Sequence, residues 1–268
     1  MKFHNDILLR YMSMAPLALA FERYLECKIL QRMSFDSPIL DLGCGDGVFA
    51  KVLFADPIDT GIDPNSRELA RAQQLKVYSE LLQCPGHAIP KPDAYYRTIF
   101  SNSVLEHILD LAPVFRETYR LLAPDGRFYM TVPSPEFENY TLVNKLLMAL
   151  GFSKLAARYR QFCSKVIWRQ SHYHTLEDWE KLVSDFGFKV VESFTYDPKT
   201  ICLLNDFLYP FSIIEVINKM FFNRWVLLPT LRRKLIYPLY LFARQILKSE
   251  DSAEQGGLVF LAMVRKDN

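Results

Sequence analysis

The chain has 268 residues, of which 50% are hydrophobic, 14% aromatic and 23% charged, with a net charge of +2. This is the make-up of a globular protein, long enough for one large α/β domain with insertions or for two small domains. Five scattered cysteines, Cys27, Cys44, Cys84, Cys163 and Cys202, are odd in number and contain no C-x-x-C pair. That pattern argues against a disulfide framework and against a zinc site, and it suits a reducing, cytoplasmic setting.

Residues 4–32 read as one or two amphipathic helices that cap the core, with a boundary near 37. The apolar run 12–21 follows Lys2 and Arg10 and has something of a secretory signal. It lies behind Asp6, contains Pro16 and continues a helical period through Leu25 and Ile29, so a helix is the better reading. No window of 18 uncharged apolar residues is present, and a spanning helix is not expected. Asp36, Ser37 and Pro38 turn the chain into its first strand.

Ile39, Leu40 and Leu42 have the continuous apolar character of a buried parallel strand. Gly43, Gly45 and Gly47 follow at alternate positions, then Val48 and Phe49 resume a helical pattern. A chain that leaves a strand, turns sharply and offers bare backbone to a ligand needs residues without Cβ, and the helix start supplies free N–H groups. The dinucleotide fingerprint G-x-G-x-x-G would need a third glycine where Val48 stands, which disfavours a nicotinamide-dependent oxidoreductase. A second short strand ends at Asp63, twenty residues beyond Gly43. At that distance a carboxylate can accept two hydrogen bonds from the cis-diol of a ribose. Pro64 and Asn65 then open a helix, with Asn65 as N-cap and Glu68 closing a capping box.

The run D-x-G-x-G-x-G, Asp41 to Gly47, resembles the first motif of class I S-adenosylmethionine-dependent methyltransferases. Ile89, Pro90, Asp93 and the segment TIFSNSVLEH from Thr98 to His107 also resemble that family, as does LLAPDGRFYMTVP near its fifth strand. One feature departs from it: Pro85 stands where an adenine-side acid is usual. The resemblance implies an S-adenosylmethionine site, with S-adenosylhomocysteine as product. Its residues would be Asp41, Gly43, Cys44, Gly45, Gly47, Asp63, Pro64, Gly86, His87, Asn102 and Ser103, with His87 or backbone serving the adenine.

A helix is expected over 104–122, a turn at 123–126, and a strand over 127–132. Thr175 and Asp178 form a capping box for a helix that ends near Phe186, where Gly187 turns into a strand over 188–192; a last strand covers 257–265. Seven strands alternating with helices predict an α/β, Rossmann-like, doubly wound and mostly parallel sheet, with helical insertions at 134–174 and 200–250 forming a lid. Residues 140–170 carry six bases and no acid, and residues 200–248 carry seven bases, two acids and nine aromatics. Such segments suit either a lid over a greasy substrate or peripheral contact with a membrane.

Methyl transfer is an in-line displacement governed by alignment, with no protein-bound metal needed. If the acceptor is a hydroxyl, a base helps, and His172, His174 and His107 are the candidates. The expected activity is methyl transfer to a small lipophilic acceptor, oxygen favoured over nitrogen or carbon. A non-catalytic S-adenosylmethionine-binding protein is the alternative. No nucleic-acid module or base-flipping motif is present, and the acceptor itself is not legible.

Overall fold

The computed structural model describes residues 1–247 and 255–266. Seven strands form one sheet: β1 (Ile39–Leu42), β2 (Ile58–Ile62), β3 (Tyr78–Leu82), β4 (Tyr96–Asn102), β5 (Leu122–Pro133), β6 (Phe188–Tyr196) and β7 (Leu258–Arg265). Their order is β3-β2-β1-β4-β5-β7-β6, parallel through β5, with β7 antiparallel to both of its neighbours. This is the doubly wound fold that the alternation of strands and helices predicts. The direction of the chain changes sides between β1 and β4, so their carboxyl ends diverge and leave a crevice.

Two apolar layers cover the sheet, and the period of two along β1 decides which residue serves which. Ile39 belongs to the layer built with α1 (Ile7–Met14), α2 (Leu17–Gln31) and α3 (Val48–Leu53), whereas Leu40 and Leu42 face α5 (Leu111–Leu121) and α9 (Leu176–Asp185). Met12 and Ala20 are fully buried, so the two N-terminal helices are part of the first layer.

Local expectations meet the structure unevenly. The helix expected over 104–122 is broken into a 3-10 turn (Leu105–His107) and α5. Pro113 explains the break, because a proline is tolerated in a first turn but not in the interior of a helix begun at 104. Asp110 caps the new start through the N–H of Ala112 at 3.1 Å. Asn65 does cap α4 (Ser66–Leu75), accepting from Arg67 at 3.0 Å, but Glu68 pairs with Arg71 at 2.6 Å instead of closing the box. The Thr175–Asp178 box is complete.

The first insertion folds as α6 (Glu136–Asn139), α7 (Leu142–Ala149) and α8 (Ser153–Phe162). The second folds as α10 (Lys199–Leu208), a 3-10 turn (Tyr209–Ser212), α11 (Ile213–Phe222), α12 (Pro229–Leu235) and α13 (Tyr237–Ile246). Its predicted end, 248–250, lies outside the described residues. Lys199–Phe222 is a continuous helical run of 24 residues with an 18-residue window of mean hydropathy 1.5, long and apolar enough to cross a membrane by length and composition. Its inward side packs on α2 and carries the polar groups Asn205, Ser212 and Glu215, while Phe207, Phe211, Ile214, Met220 and Phe221 face outward. Ile201 and Cys202 are buried on the same side, so the run is apolar outward and mixed inward, unlike an ordinary surface helix.

Candidate active site

The glycine turn is tied to the second strand. The N–H groups of Gly43 and Cys44 both donate to the Ile62 carbonyl, at 3.0 and 2.8 Å, and Gly45 N–H donates to Asp63 Oδ2 at 3.1 Å. Gly47 N–H donates to Cys44 O and Val48 N–H to Asp46 Oδ1. These N–H groups, expected to be free for a ligand, are therefore engaged by the end of the second strand, by Asp63 and by the turn itself. What faces outward is bare backbone. A Cβ on Gly43 would lie 2.4 Å from Val104, whereas one on Gly45, at φ +53, would meet nothing within 4 Å. Asp63 borders that open space, half-buried; its Oδ1 accepts from Asn65 N–H at 2.7 Å. Each carboxylate oxygen has two lone pairs, so one per oxygen remains for a diol. Burial raises the Asp63 carboxyl above its ordinary range, and the two N–H bonds work against that.

Asp41 lies beneath the turn, 4% exposed, accepting from Tyr78 OH at 2.6 Å. Burial pushes its carboxyl up to about 7. Its side chain, through Tyr78, ties the end of β1 to β3. Burial likewise drives the Cys44 thiol far up, so it stays neutral. Pro64 and His87 are exposed at the rim, and a Cβ on Gly86 would stand 3.2 Å from Leu42, so the loop after β3 rides close over the end of β1.

At the end of β4, the side-chain amide of Asn102 does not face the crevice unengaged. Its Nδ2 donates to Glu26 Oε2 at 3.0 Å and its Oδ1 accepts from Thr131 at 3.0 Å. Glu26, fully buried on α2, also accepts from Ser103 Oγ at 3.1 Å, Tyr196 OH at 3.3 Å and Arg23 Nη1 at 2.7 Å. Arg23 in turn donates to Ser103 Oγ at 2.6 Å. An acid and a base from the N-terminal helix thus organise the strand end that sequence reasoning assigned to Asn102 and Ser103 alone. The signal was present in FERYLE, three charges in five positions of a helix whose first turns are otherwise apolar.

Above this lies a cavity of about 280 Å³. Glu22, Arg23, Ser103, Glu106 and His107 line it from the core. Phe137, Tyr140 and Trp168 close it from the first insertion, and Asn205, Tyr209, Ile213, Val216 and Trp225 from the second. Burial raises Glu22, with Arg23 opposing, and pushes Glu106 up to about 8; burial lowers His107. Trp225 Nε1 donates to Asp46 Oδ2 at 2.7 Å and Lys219 Nζ stands 3.0 Å from the same oxygen, joining the second insertion to the glycine turn. Among the described residues no group of three His, Cys, Asp or Glu gathers to hold a metal.

Of the three histidines singled out as bases, only His107 borders the cavity. His172 Nε2 lies 2.7 Å from the Ile108 carbonyl, and His174 packs edge-on against Trp179 at 4.9 Å. Neither lines the cavity. The HYH segment turns toward α9 because Trp179, fully buried, draws both rings onto it.

A methyltransferase-domain family model matches residues 19–193. The ubiquinone biosynthesis O-methyltransferase of Yersinia enterocolitica is 33% identical over 116 residues, covering 39% of this chain and 47% of that protein. The chain spans about half the length of the curated relatives it matches first. Among solved structures, an S-adenosylmethionine-dependent methyltransferase of Thermotoga maritima superposes with a TM-score of 0.57 at 16% identity, covering 93% of this chain and 92% of its own. The geranyl diphosphate C-methyltransferase of Streptomyces coelicolor, solved with Mg²⁺, geranyl diphosphate and S-adenosylhomocysteine, gives 0.51 at 15% identity, covering 90% and 77%.

Proposed function

The chain belongs to the class I S-adenosylmethionine-dependent methyltransferase family, and from that membership we propose that it moves a methyl group onto an oxygen of a small, lipophilic acceptor. The observation that carries this reading is the cavity roofed by both insertions, largely apolar in its walls, with buried carboxyl groups at its core end. S-Adenosylmethionine, when bound, supplies an electrophilic methyl on a sulfonium. The residues of the turn fit it: Gly45 has open space before it, and Asp63 retains one lone pair per oxygen for a ribose diol. Ser103, Arg23 and Glu26 fix the strand end next to that space. Phe137, Tyr140, Trp168 and Trp225 keep water from the acceptor and hold it in place, which is most of what an aligned displacement requires.

Oxygen is favoured because carboxyl groups in a water-poor cavity can take a hydroxyl proton. A relative that acts in ubiquinone biosynthesis as an O-methyltransferase lends this support. Membrane contact forms part of the same reading. Outside 171–198, the exposed ionic side chains described in the two insertions are all cations, among them Lys154, Arg158, Lys165, Arg224, Lys234 and Arg244. They stand amid outward-facing Leu146, Phe152, Phe162, Phe211, Ile214 and Phe221. Bases that reach phosphates beside rings that enter an acyl boundary are the make-up of an interfacial surface.

The test is a product-coupled assay with S-adenosylmethionine across lipid, phenol and sugar acceptors, read by mass spectrometry, beside calorimetric titration with S-adenosylhomocysteine and NAD. Methylated lipophilic product supports the proposal. Tight binding of S-adenosylhomocysteine with no methylated product from the panel would favour the non-catalytic binding protein, and binding of NAD alone would overturn both.

A further inference from the structure

Two buried side chains on the cavity wall have polar atoms that no group among the described residues engages. Glu106 is 2% exposed and its Oε2 has no hydrogen-bond partner; Asn205 is 8% exposed and neither its Oδ1 nor its Nδ2 has one. Both line the cavity, Glu106 from the core and Asn205 from α10. Buried polar atoms in native proteins are nearly always paired, so two such residues on one cavity point to a ligand that pairs them. The two other acids on this wall are engaged: Glu22 lies 3.5 Å from Arg23 Nη2, and Asp206 Oδ2 accepts from Leu142 N–H at 2.9 Å.

We infer that Glu106 and Asn205 form the receptor for a lipophilic phenol bearing a second hydrogen-bonding group, with Glu106 accepting the proton of the hydroxyl that is methylated. This rests on the methyl-transfer reading above. Asn205 offers a donor and an acceptor together, which suits a second hydroxyl, itself both. The rings of Phe137, Tyr140, Trp168 and Trp225 suit an aromatic and alkyl body. In the transfer, Glu106 takes the hydroxyl proton as the acceptor oxygen bonds to the methyl carbon, and the electron pair of the broken C–S bond stays on sulfur. The proton then leaves through His107, whose Nε2 stands 3.7 Å from Glu106 Oε1 and whose side chain is 47% exposed.

The groups that act on Glu106 are Arg23, Glu22 and Glu26 from α2 and His107 beside it, the last held by the Arg169 carbonyl of the first insertion. Burial dominates and sets its carboxyl at about 8, between an ordinary acid and a phenol, where a base works best near neutral pH.

The probe is 4-hexylresorcinol, with hexylbenzene as its counterpart lacking both hydroxyls, titrated into the intact protein saturated with S-adenosylhomocysteine and then assayed for methylation. The expectation is that 4-hexylresorcinol binds at least about tenfold more tightly than hexylbenzene. Asn205→Leu should lose about tenfold in its affinity for 4-hexylresorcinol while still binding hexylbenzene, which also reports that it is folded. Glu106→Gln should bind within a few-fold of the wild type yet lose about 10²-fold or more in kcat. The rise of kcat with pH toward a plateau above about 8 should vanish with it. Equal binding of the two probes, or a Glu106→Gln enzyme with the same kcat and pH limb, overturns the inference. Failure of the wild type to bind S-adenosylhomocysteine would instead overturn the methyl-transfer reading beneath it.

Discussion

Removing the Asp63 carboxylate is the sharpest test of the cofactor turn. In Asp63→Ala two kinds of bond are lost. The turn loses its ties to Gly45 N–H at 3.1 Å and Asn65 N–H at 2.7 Å, and the ligand loses its diol acceptor. Hydrogen bonds to an ionised group are worth roughly 1.5–3 kcal/mol each, and the side chain is half-exposed, so the lower end applies. One such bond of about 1.5 kcal/mol already corresponds to about tenfold in affinity. Asp63→Asn keeps one acceptor oxygen and turns the other into a donor, so it should fall between alanine and the wild type. Because burial raises the Asp63 carboxyl above its ordinary value, affinity should begin to weaken in mildly acidic buffer and be lost progressively as pH falls through that raised value. Calorimetric titration with S-adenosylhomocysteine reads all of these. Unchanged affinity in Asp63→Ala, with native circular dichroism, would refute the assignment of Asp63 to the ribose.

Gly45→Val should abolish S-adenosylhomocysteine binding, because its side chain would fill the open space before the turn at a φ of +53 that a β-branched residue resists; a folded variant that still binds tightly would make the turn merely structural. Glu26→Ala leaves Arg23 buried without its main partner and should cost about 3–5 kcal/mol in urea unfolding, the usual price of breaking a buried pair. The raised carboxyl of Glu106 makes the unliganded protein lose stability as pH rises from the unfolded value of 4.5 through about 8, a slope that Glu106→Gln should flatten. Co-sedimentation with anionic vesicles at ~50 mM salt should weaken when Lys154, Arg158 and Lys165 become glutamine, by about 1 kcal/mol for each charge. Arg232 and Arg233 are poor choices for that test, since they are held by Glu215 and Asp6. A wild-type protein that stays in the supernatant would refute the membrane contact.

The glycine turn and its carboxylate were legible because they are local. Three positive-φ glycines at alternate positions and an acid twenty residues beyond the first depend on backbone geometry that sequence spacing sets almost alone. The N-terminal acid and base were not legible, although their residues stand in plain view. Residues 4–32 read as amphipathic helices in which Glu22, Arg23 and Glu26 are simply part of a polar stripe, since periodicity marks a stripe without saying what it meets. The structure turns that stripe inward, over the end of β4. His172 and His174 were misplaced for a related reason: nearness in sequence to a capped helix located their loop but not the direction of the rings, which the buried Trp179 decides.

The insertions carry the same ambiguity furthest, and there it bears on function. Along Lys199–Phe222 Asn205, Ser212 and Glu215 are buried beside Ile201 and Cys202 while the phenylalanines are outside, so the inward stripe brings polar groups such as Asn205 to the cavity wall and the outward stripe stays apolar. Tyr209, Ile213 and Val216 belong to both surfaces: they line the cavity and are 52%, 57% and 45% exposed. The cavity therefore opens through the apolar face itself. An amphipathic acceptor resting in a bilayer could pass its polar end inward, toward Asn205 and Glu106, while its hydrocarbon part stayed against apolar surface throughout. On that path no apolar area need be exposed to water, which at about 25 cal/mol per Å² would otherwise oppose entry. Under the proposed function, the two readings first drawn from the basic, aromatic segments, a lid over a greasy substrate and a surface for a membrane, would be one arrangement seen from its two sides.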